Sequence, residues 1–324
     1  MPERVPFTGT PYSHAGRTRP SGRLGHMPLR FGLFGTGPWA TATQAPAIAA
    51  HPDAELVGVW GRDPAKAAAL AGESGVRAYA DVDELLADVD AVAVALPPDV
   101  QAEIAERAAK AGRHLMLDKP LALTVEGADR VVAAADAAGV ASVVFFTARF
   151  MDNVTAALRE LTATGGWQGS RVAHLSSIFQ PGNPYGASPW RRQHGGLWDV
   201  GPHALSQVLP VLGPVAEVSA IEGPRGSTNL LLRHESGAVS TVTLSVDAPP
   251  AAVLRDITFY GEHGIAEVPR GEGEVRAAFG RAIDVLRAEI AGTKHDVGVH
   301  FGRDVVAVLA AAERSRADGR IIKL

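Results

Sequence analysis

The sequence contains no cysteine. Disulfide frameworks, thiolate zinc sites and cysteine nucleophiles are therefore excluded. Lysine is nearly absent, with five residues against twenty-six arginines. No apolar run reaches the roughly 18 residues that a membrane helix needs. The net charge is only −4, and no basic patch stands out to attract phosphate backbones. Neither nucleic acid nor membrane is expected as a partner, and a cytoplasmic location is. What is present is ample apolar material: 46% of 324 residues. That length exceeds the roughly 250–300 residues at which one core stops growing, so two domains are expected. The first 28 residues are rich in arginine, proline and glycine and hold no apolar h-region. They read as a flexible extension rather than a secretory signal, with the folded part beginning near Pro28 and Met27 a candidate start.

Residues 29–147 alternate between strand and helix patterns. Arg30–Phe34, Ala54–Trp60, Ala91–Leu96, His114–Asp118 and Ser142–Phe146 are apolar strands. Between them lie helix patterns with recognisable ends. Asp63–Pro64 is an N-cap followed by a first-turn proline, and Gly112 and Gly139 are stops. Such βαβ alternation builds a parallel sheet covered on both faces. Residues 148–324 read differently. A helix near Asn153–Thr164 precedes a strand at Arg171–Phe179, and a polar loop spans 180–195. Helix is expected over 197–212, then strands at 215–222, 228–234, 238–246 and 253–260, then two terminal helices. Glu235-Ser236-Gly237 marks a hairpin. The fold class expected is α/β, with an N-terminal dinucleotide-binding Rossmann domain. The second domain is α+β, on a mostly antiparallel sheet.

The dinucleotide reading rests on Gly35-Thr36-Gly37-Pro38-Trp39-Ala40, a G-x-G-x-x-A pattern. It follows a strand, opens a helix and comes first in a βαβ unit, which is the context that gives the pattern meaning. Gly35 allows the tight turn, and Gly37 lets backbone N–H groups approach a pyrophosphate at the positive end of the helix. At the end of the second strand, NAD-specific domains place a carboxylate for the ribose hydroxyls. Here Gly61 and Arg62 occupy that place, and Asp63 reads as a helix cap. Arg62 could pair with a 2′-phosphate, so NADP is the expected cofactor, with NAD the alternative.

Three later segments carry a family resemblance. Val92-Ala93-Val94-Ala95-Leu96-Pro97-Pro98-Asp99 looks like the fourth strand and its nicotinamide-side loop. His114-Leu115-Met116-Leu117-Asp118-Lys119-Pro120 resembles a Glu-Lys-Pro signature, with Asp118 for the usual Glu. Gly195-Gly196-Leu197-Trp198-Asp199-Val200-Gly201-Pro202-His203 resembles a Gly-Gly-x-x-Asp-x-Gly-x-His signature. Their order and spacing are similar to the glucose–fructose oxidoreductase/inositol dehydrogenase (Gfo/Idh/MocA) family, from residue 29 to the end. Gln101 and Ser206 depart from that pattern, standing where His and Asp are common.

The resemblance implies hydride transfer between a nicotinamide and a secondary alcohol or carbonyl of a sugar, polyol or related small molecule. Lys119, Asp199 and His203 are then the candidate catalytic set. Lysine would stabilise a developing alkoxide, and histidine would exchange the hydroxyl proton. Asp199 and His203, four apart on an expected helix, would share a face. Leu96, Pro97, Asp118 and Lys119 join the glycine loop as cofactor contacts. Arg149, Trp190 and Arg191 are candidate substrate contacts, by charge pairing and sugar stacking. Gly195, Gly196 and Gly201 are expected to let a ligand approach closely. The Lys119–Pro120 bond is expected to be cis or to sit in a tight turn. His114, His295 and His300 read as structural, and His174 and His194 lack metal-ligand spacing, so no metal is expected. The second sheet needs its other face covered, so a homo-oligomer (dimer or tetramer) is expected. A glycosidase using NAD transiently and a nucleotide-sensing regulator are the alternatives.

Overall fold

The computed structural model describes residues 27–324. The expectation of a flexible leader lies outside the described residues. The first half is a parallel six-stranded sheet in the order β3-β2-β1-β4-β5-β6. Its strands are β1 (Leu29–Phe34), β2 (Ala54–Trp60), β3 (Arg77–Tyr79), β4 (Ala91–Val94), β5 (His114–Asp118) and β6 (Ser142–Phe145). β4 and β6 are buried along their whole length, as near-continuous apolar runs require when helices cover both faces. The order reverses between β1 and β4, which opens a crevice at their carboxyl ends.

The helices between these strands end where local chemistry ends them. α2 (Pro64–Ser74) is capped by the Asp63 carboxylate, which accepts from the amides of Ala65 and Lys66. α3 (Val82–Ala87) is capped in the same way by Asp81. α5 (Val125–Ala138) is capped by the Thr124 hydroxyl and closed by left-handed Gly139. The helix after the glycine loop departs from expectation. It opens as a π-helical turn, Ala40–Gln44, before α1 (Ala45–Ala50). Pro46 has no N–H for the Ala42 carbonyl, and Arg276 supplies a donor at 2.8 Å instead.

The second half is a seven-stranded sheet in the order β12-β11-β7-β10-β9-β8-β13. It comprises β7 (Trp167–Leu175), β8 (Val215–Glu222), β9 (Thr228–His234), β10 (Val239–Ser245), β11 (Leu254–Gly261), β12 (Gly264–Glu267) and β13 (Ile322–Lys323). Only β7 and β10 pair in parallel, so the mostly antiparallel expectation holds, as does the β9–β10 hairpin. β3, β12 and β13 are too short to carry a pattern of their own. The loop expected over 180–195 is shorter: α7 (Pro189–Asp199) begins inside it, followed by α8 (Gly201–Leu212). α6 (Asp152–Thr164), α7, α8 and α10 (Val299–Asp318) belong to this half. α9 (Val275–Ile290) instead returns to the first sheet, packing Phe279 edge-on against Phe145 of β6. α4 (Pro98–Lys110) packs beside α5 on the same sheet.

Candidate active site

A cavity of about 600 Å³ lies between the two halves, at the carboxyl ends of β1, β4 and β5. Gly37, Pro38, Trp39, Arg62 and the Ala95–Asp99 segment form one wall. Asp118, Lys119, Asp199 and His203 form the floor, and Tyr185, Trp190 and Arg191 lie along the α7 side.

The glycine loop is shaped by close approach. Gly35 has φ +129°, and a Cβ there would come within 2.3 Å of the Ala95 carbonyl oxygen. Its amide donates to the Trp60 carbonyl at 2.9 Å, tying the loop to the end of β2. Nothing lies within 4 Å of where a Gly37 Cβ would be, so the backbone there is open toward the cavity. An open glycine backbone at a helix start, at the sheet's switch point, fits a dinucleotide pyrophosphate. Gly61 is set by a neighbouring side chain. A Cβ there would come within 2.6 Å of Thr36 Cγ2, so the missing side chain makes room for Thr36 rather than for a ligand. Arg62 is exposed on the cavity wall. Asp63 caps α2, as expected.

Lys119 follows β5 in a turn whose Lys119–Pro120 bond is cis. Gln101 laces this turn from α4. Its amide nitrogen donates to the Asp118 carbonyl at 2.7 Å and the Pro120 carbonyl at 2.9 Å, and its oxygen accepts from the Asp118 amide at 2.9 Å. The Lys119 ammonium donates to the Asp199 carbonyl oxygen at 2.6 Å and to its carboxylate at 2.9 Å. The other carboxylate oxygen accepts from Arg191 Nε at 3.1 Å. Burial alone would raise the Asp199 pKa, but the Lys119 and Arg191 charges overcome it and hold the carboxyl below its ordinary value. Asp118 feels the same two cations but forms no side-chain bond to either ammonium or guanidinium. Burial pushes it up to about 6, against the pull of Lys119.

His203 is half-buried in the first turn of α8, and its ring centroid lies 5.8 Å from that of His174 on β7. Burial, then the positive charge of Lys119, holds His203 well below the ordinary imidazole value. Burial, then Arg255, takes His174 down to about 3. Both rings are neutral near pH 7.

Several expectations are corrected here. Asp199 and His203 do not sit on one continuous helix, because α7 ends at Asp199 and α8 begins at Gly201. Asp199 orients Lys119 and Arg191, and the ring beside His203 is that of His174. Arg149 is not among the residues that line the cavity. Its guanidinium donates to the Ser206 carbonyl at 2.9 Å and pairs with Asp296 at 2.7 Å, away from the cavity. Gly196 and Gly201 serve packing, while Gly195 takes a left-handed turn with φ +61°. A Cβ on Gly196 would come within 2.9 Å of the Ser245 backbone, and one on Gly201 within 2.8 Å of Leu309. Trp190 and Arg191 do reach the cavity, with the Arg191 guanidinium 4.7 Å from the Trp190 ring centre and 5.1 Å from that of Tyr185. His174, Tyr185, Ser176 and Arg255 line the cavity too and were not expected there. His114 accepts from the Ala141 amide, and His295 and His300 donate to the Glu289 and Asp136 carboxylates, structural bonds in each case.

Comparison with known proteins matches this arrangement. Residues 29–146 match the oxidoreductase family with the NAD-binding Rossmann fold, and residues 156–267 match the GFO/IDH/MocA C-terminal domain. The chain belongs to the Gfo/Idh/MocA family. It is 35% identical to the dTDP-3,4-didehydro-2,6-dideoxy-alpha-D-glucose 3-reductase of Streptomyces antibioticus, over 72% of this chain and 70% of that protein. It is 30% identical to D-xylose 1-dehydrogenase (NADP(+)) 2 of Haloferax volcanii, over 70% of this chain and 72% of that one. The structure of GenD2 from gentamicin A biosynthesis, in complex with NAD, superposes with a TM-score of 0.80 at 24% identity, covering 94% of this chain and 99% of that one. As a Gfo/Idh/MocA member the chain is an NAD(P)-dependent oxidoreductase of the sugar- and polyol-dehydrogenase kind.

Proposed function

We propose that this Gfo/Idh/MocA oxidoreductase interconverts a secondary alcohol and a carbonyl on a sugar or polyol, with NADP(H) preferred to NAD(H). The observation that carries the reading is convergence. Lys119, tethered by Asp199, and neutral His203 reach the same cavity as the open glycine loop. When bound, the nicotinamide supplies the hydride-accepting carbon. The protein's part is proton and charge management. Lys119 holds the reacting oxygen and favours its alkoxide form. His203 accepts the hydroxyl proton, for which it must be unprotonated. Asp199 fixes the lysine. Trp190 and Arg191 line the substrate side. Arg62 lines the cavity after β2 and would pair with a 2′-phosphate, with Asp63 committed to its cap. Two copies joined through the second sheet form the working unit.

The test is to follow reduced cofactor while sugars and polyols are offered with NADP+ or NAD+. Net stoichiometric reduction is expected, whereas a glycosidase leaves no net reduction and a regulator none at all. The NADP+ preference should be about tenfold to a hundredfold, the span of one charge-assisted pair, and should collapse in Arg62→Ala. Equal use of the two cofactors by the wild type would refute the preference.

A further inference from the structure

The inward face of the second sheet is apolar through its middle: Val172 on β7, Val242 and Leu244 on β10, Ile257 and Phe259 on β11. At the end away from the cavity its buried polar groups satisfy one another, Ser170 bonding to Ser240 and Ser240 to His234, each at 2.8 Å. Side chains alternate with a period of two, so His174 shares the face of Val172, and Arg255 shares the face of Ile257. His174 and Arg255 are direct partners across the β7–β11 ladder. An inward arginine and an inward histidine therefore stand side by side where the sheet lines the cavity, and Ser176 follows them.

Neither group is satisfied from within. His174 is 7% exposed, and its Nε2 is buried without a hydrogen-bond partner among the described residues. A buried polar nitrogen left unpaired costs about 1–3 kcal/mol, and because His174 lines the cavity a ligand seated there could complete it. Arg255 stands at the open mouth. Among the described residues the only charge that bears on its titration is that of Arg270, of the same sign. Among the other cations lining the cavity, Lys119 and Arg191 both pair with the Asp199 carboxylate. Four cations (Arg62, Lys119, Arg191 and Arg255) face three carboxylates (Asp99, Asp118 and Asp199), and Arg255 is in no ion pair among the described residues.

Resting on the oxidoreductase reading above, we infer that the substrate carries an anionic group, a carboxylate or a phosphate, that Arg255 binds at the cavity mouth while His174 Nε2 bonds to a neighbouring hydroxyl. Directly opposed residues on an antiparallel pair have Cβ atoms about 4.5–5.5 Å apart. The acid group and the bonded hydroxyl thus belong to one small sugar skeleton. A planar guanidinium receives either acid group through two parallel bonds, so sugar acids and sugar phosphates are the two sources to separate.

The experiment is calorimetric titration of the full chain, saturated with NADPH, with D-galacturonate, D-glucose 6-phosphate and D-galactose. The wild type is expected to bind at least one of the two anions about tenfold more tightly than galactose, the worth of a charge-assisted pair. Whichever anion binds names the source. In Arg255→Gln that preference should fall about tenfold, and Arg255→Lys should recover part of it. Rising salt should erode the preference in the wild type and leave the Gln variant unmoved. Equal affinities for acid and neutral sugar in the wild type would overturn the inference. So would an equal loss for all three ligands in Arg255→Gln, or no binding of either anion. An acid that binds through Arg255 but gives no hydride transfer with either cofactor would sink the catalytic reading and leave the anion site standing.

Discussion

Asp199 holds the active site together through both of its oxygen types. Its backbone carbonyl and one carboxylate oxygen fix the Lys119 ammonium, and the second carboxylate oxygen fixes Arg191. No hydrogen bond joins this carboxylate to His203 among the described residues, and this leaves His203 with a different task. With burial and the Lys119 charge both disfavouring its protonated form, His203 is a base that is always ready rather than one switched on near neutrality. The sign of the pH dependence follows. Oxidation needs the unprotonated ring, and the ring's pKa lies below 6.5. The acid limb that His203 imposes on kcat/KM for oxidation is therefore expected below pH 6.5, read from a rate profile over pH 5–9. His203→Asn should cost about a hundredfold to ten-thousandfold in rate, the usual worth of general base catalysis. A limb at 6.5 or above that vanishes in His203→Asn would mean that the ring titrates as it does in water, and the burial argument would fail.

At the scale of elements, the turn between β5 and α5 is what places Lys119, and α4 is what holds the turn. Gln101 is 1% exposed and spends its whole amide on the backbone of that turn. Gln101→Leu would leave one buried N–H and two carbonyls without their partner. A loss of about 2–4 kcal/mol is expected, from roughly 1–3 kcal/mol per buried unpaired group with partial relaxation. Urea unfolding measures it, and Gln101→His, which keeps a donor and an acceptor, should recover part of the loss. A Leu variant as stable as the wild type would show that water or a shifted turn satisfies those groups. Gln101 also marks how far the sequence could be read. The motifs brought Lys119, Asp199, His203 and the glycine loop to one place, because each is a local pattern at the end of a predictable strand or helix. Partnerships between distant elements were not legible. Gln101 looked like a mere departure from the family, although its chemistry is shared with a turn seventeen residues away. Arg149 looked like a ligand contact because nothing local reveals Asp296. His174 and Arg255 could have been found by following strand alternation through 172–176 and 255–259, where two polar side chains interrupt an inward apolar face. Gly196 and Gly201 carried a real signal with another cause, since close approach there serves helix packing against Ser245 and Leu309.

At the scale of the whole molecule, the second sheet is unequally covered. α7, α8 and α10 pack on one face, and that face holds Val172, Leu230, Leu232, Val242 and Leu244 in the core. The outward positions of the same strands include Leu231 at 50% exposure, Ile221 at 69% and Ile265 at 73%, with Leu254 at 39%. Around them lie Thr241, paired with Leu231 across the β9–β10 ladder, and Val239 and Thr243. β-branched and apolar residues on a broad, open sheet face suit packing against a second sheet. A face that meets its own copy about a two-fold axis is self-complementary by construction. The prediction is therefore a dimer, or a tetramer built from it, in sedimentation of the full chain at micromolar concentration. Leu231→Glu stands near the middle of the face and points away from the monomer's core. Across a two-fold interface it would bury two uncompensated carboxylates, each costing several kcal/mol. Sedimentation of that variant should show the monomer mass, while its monomer core, which Leu231 does not enter, keeps the wild-type circular dichroism. A wild type that sediments as a monomer, or a Glu variant that keeps the wild-type mass, would refute association through this face.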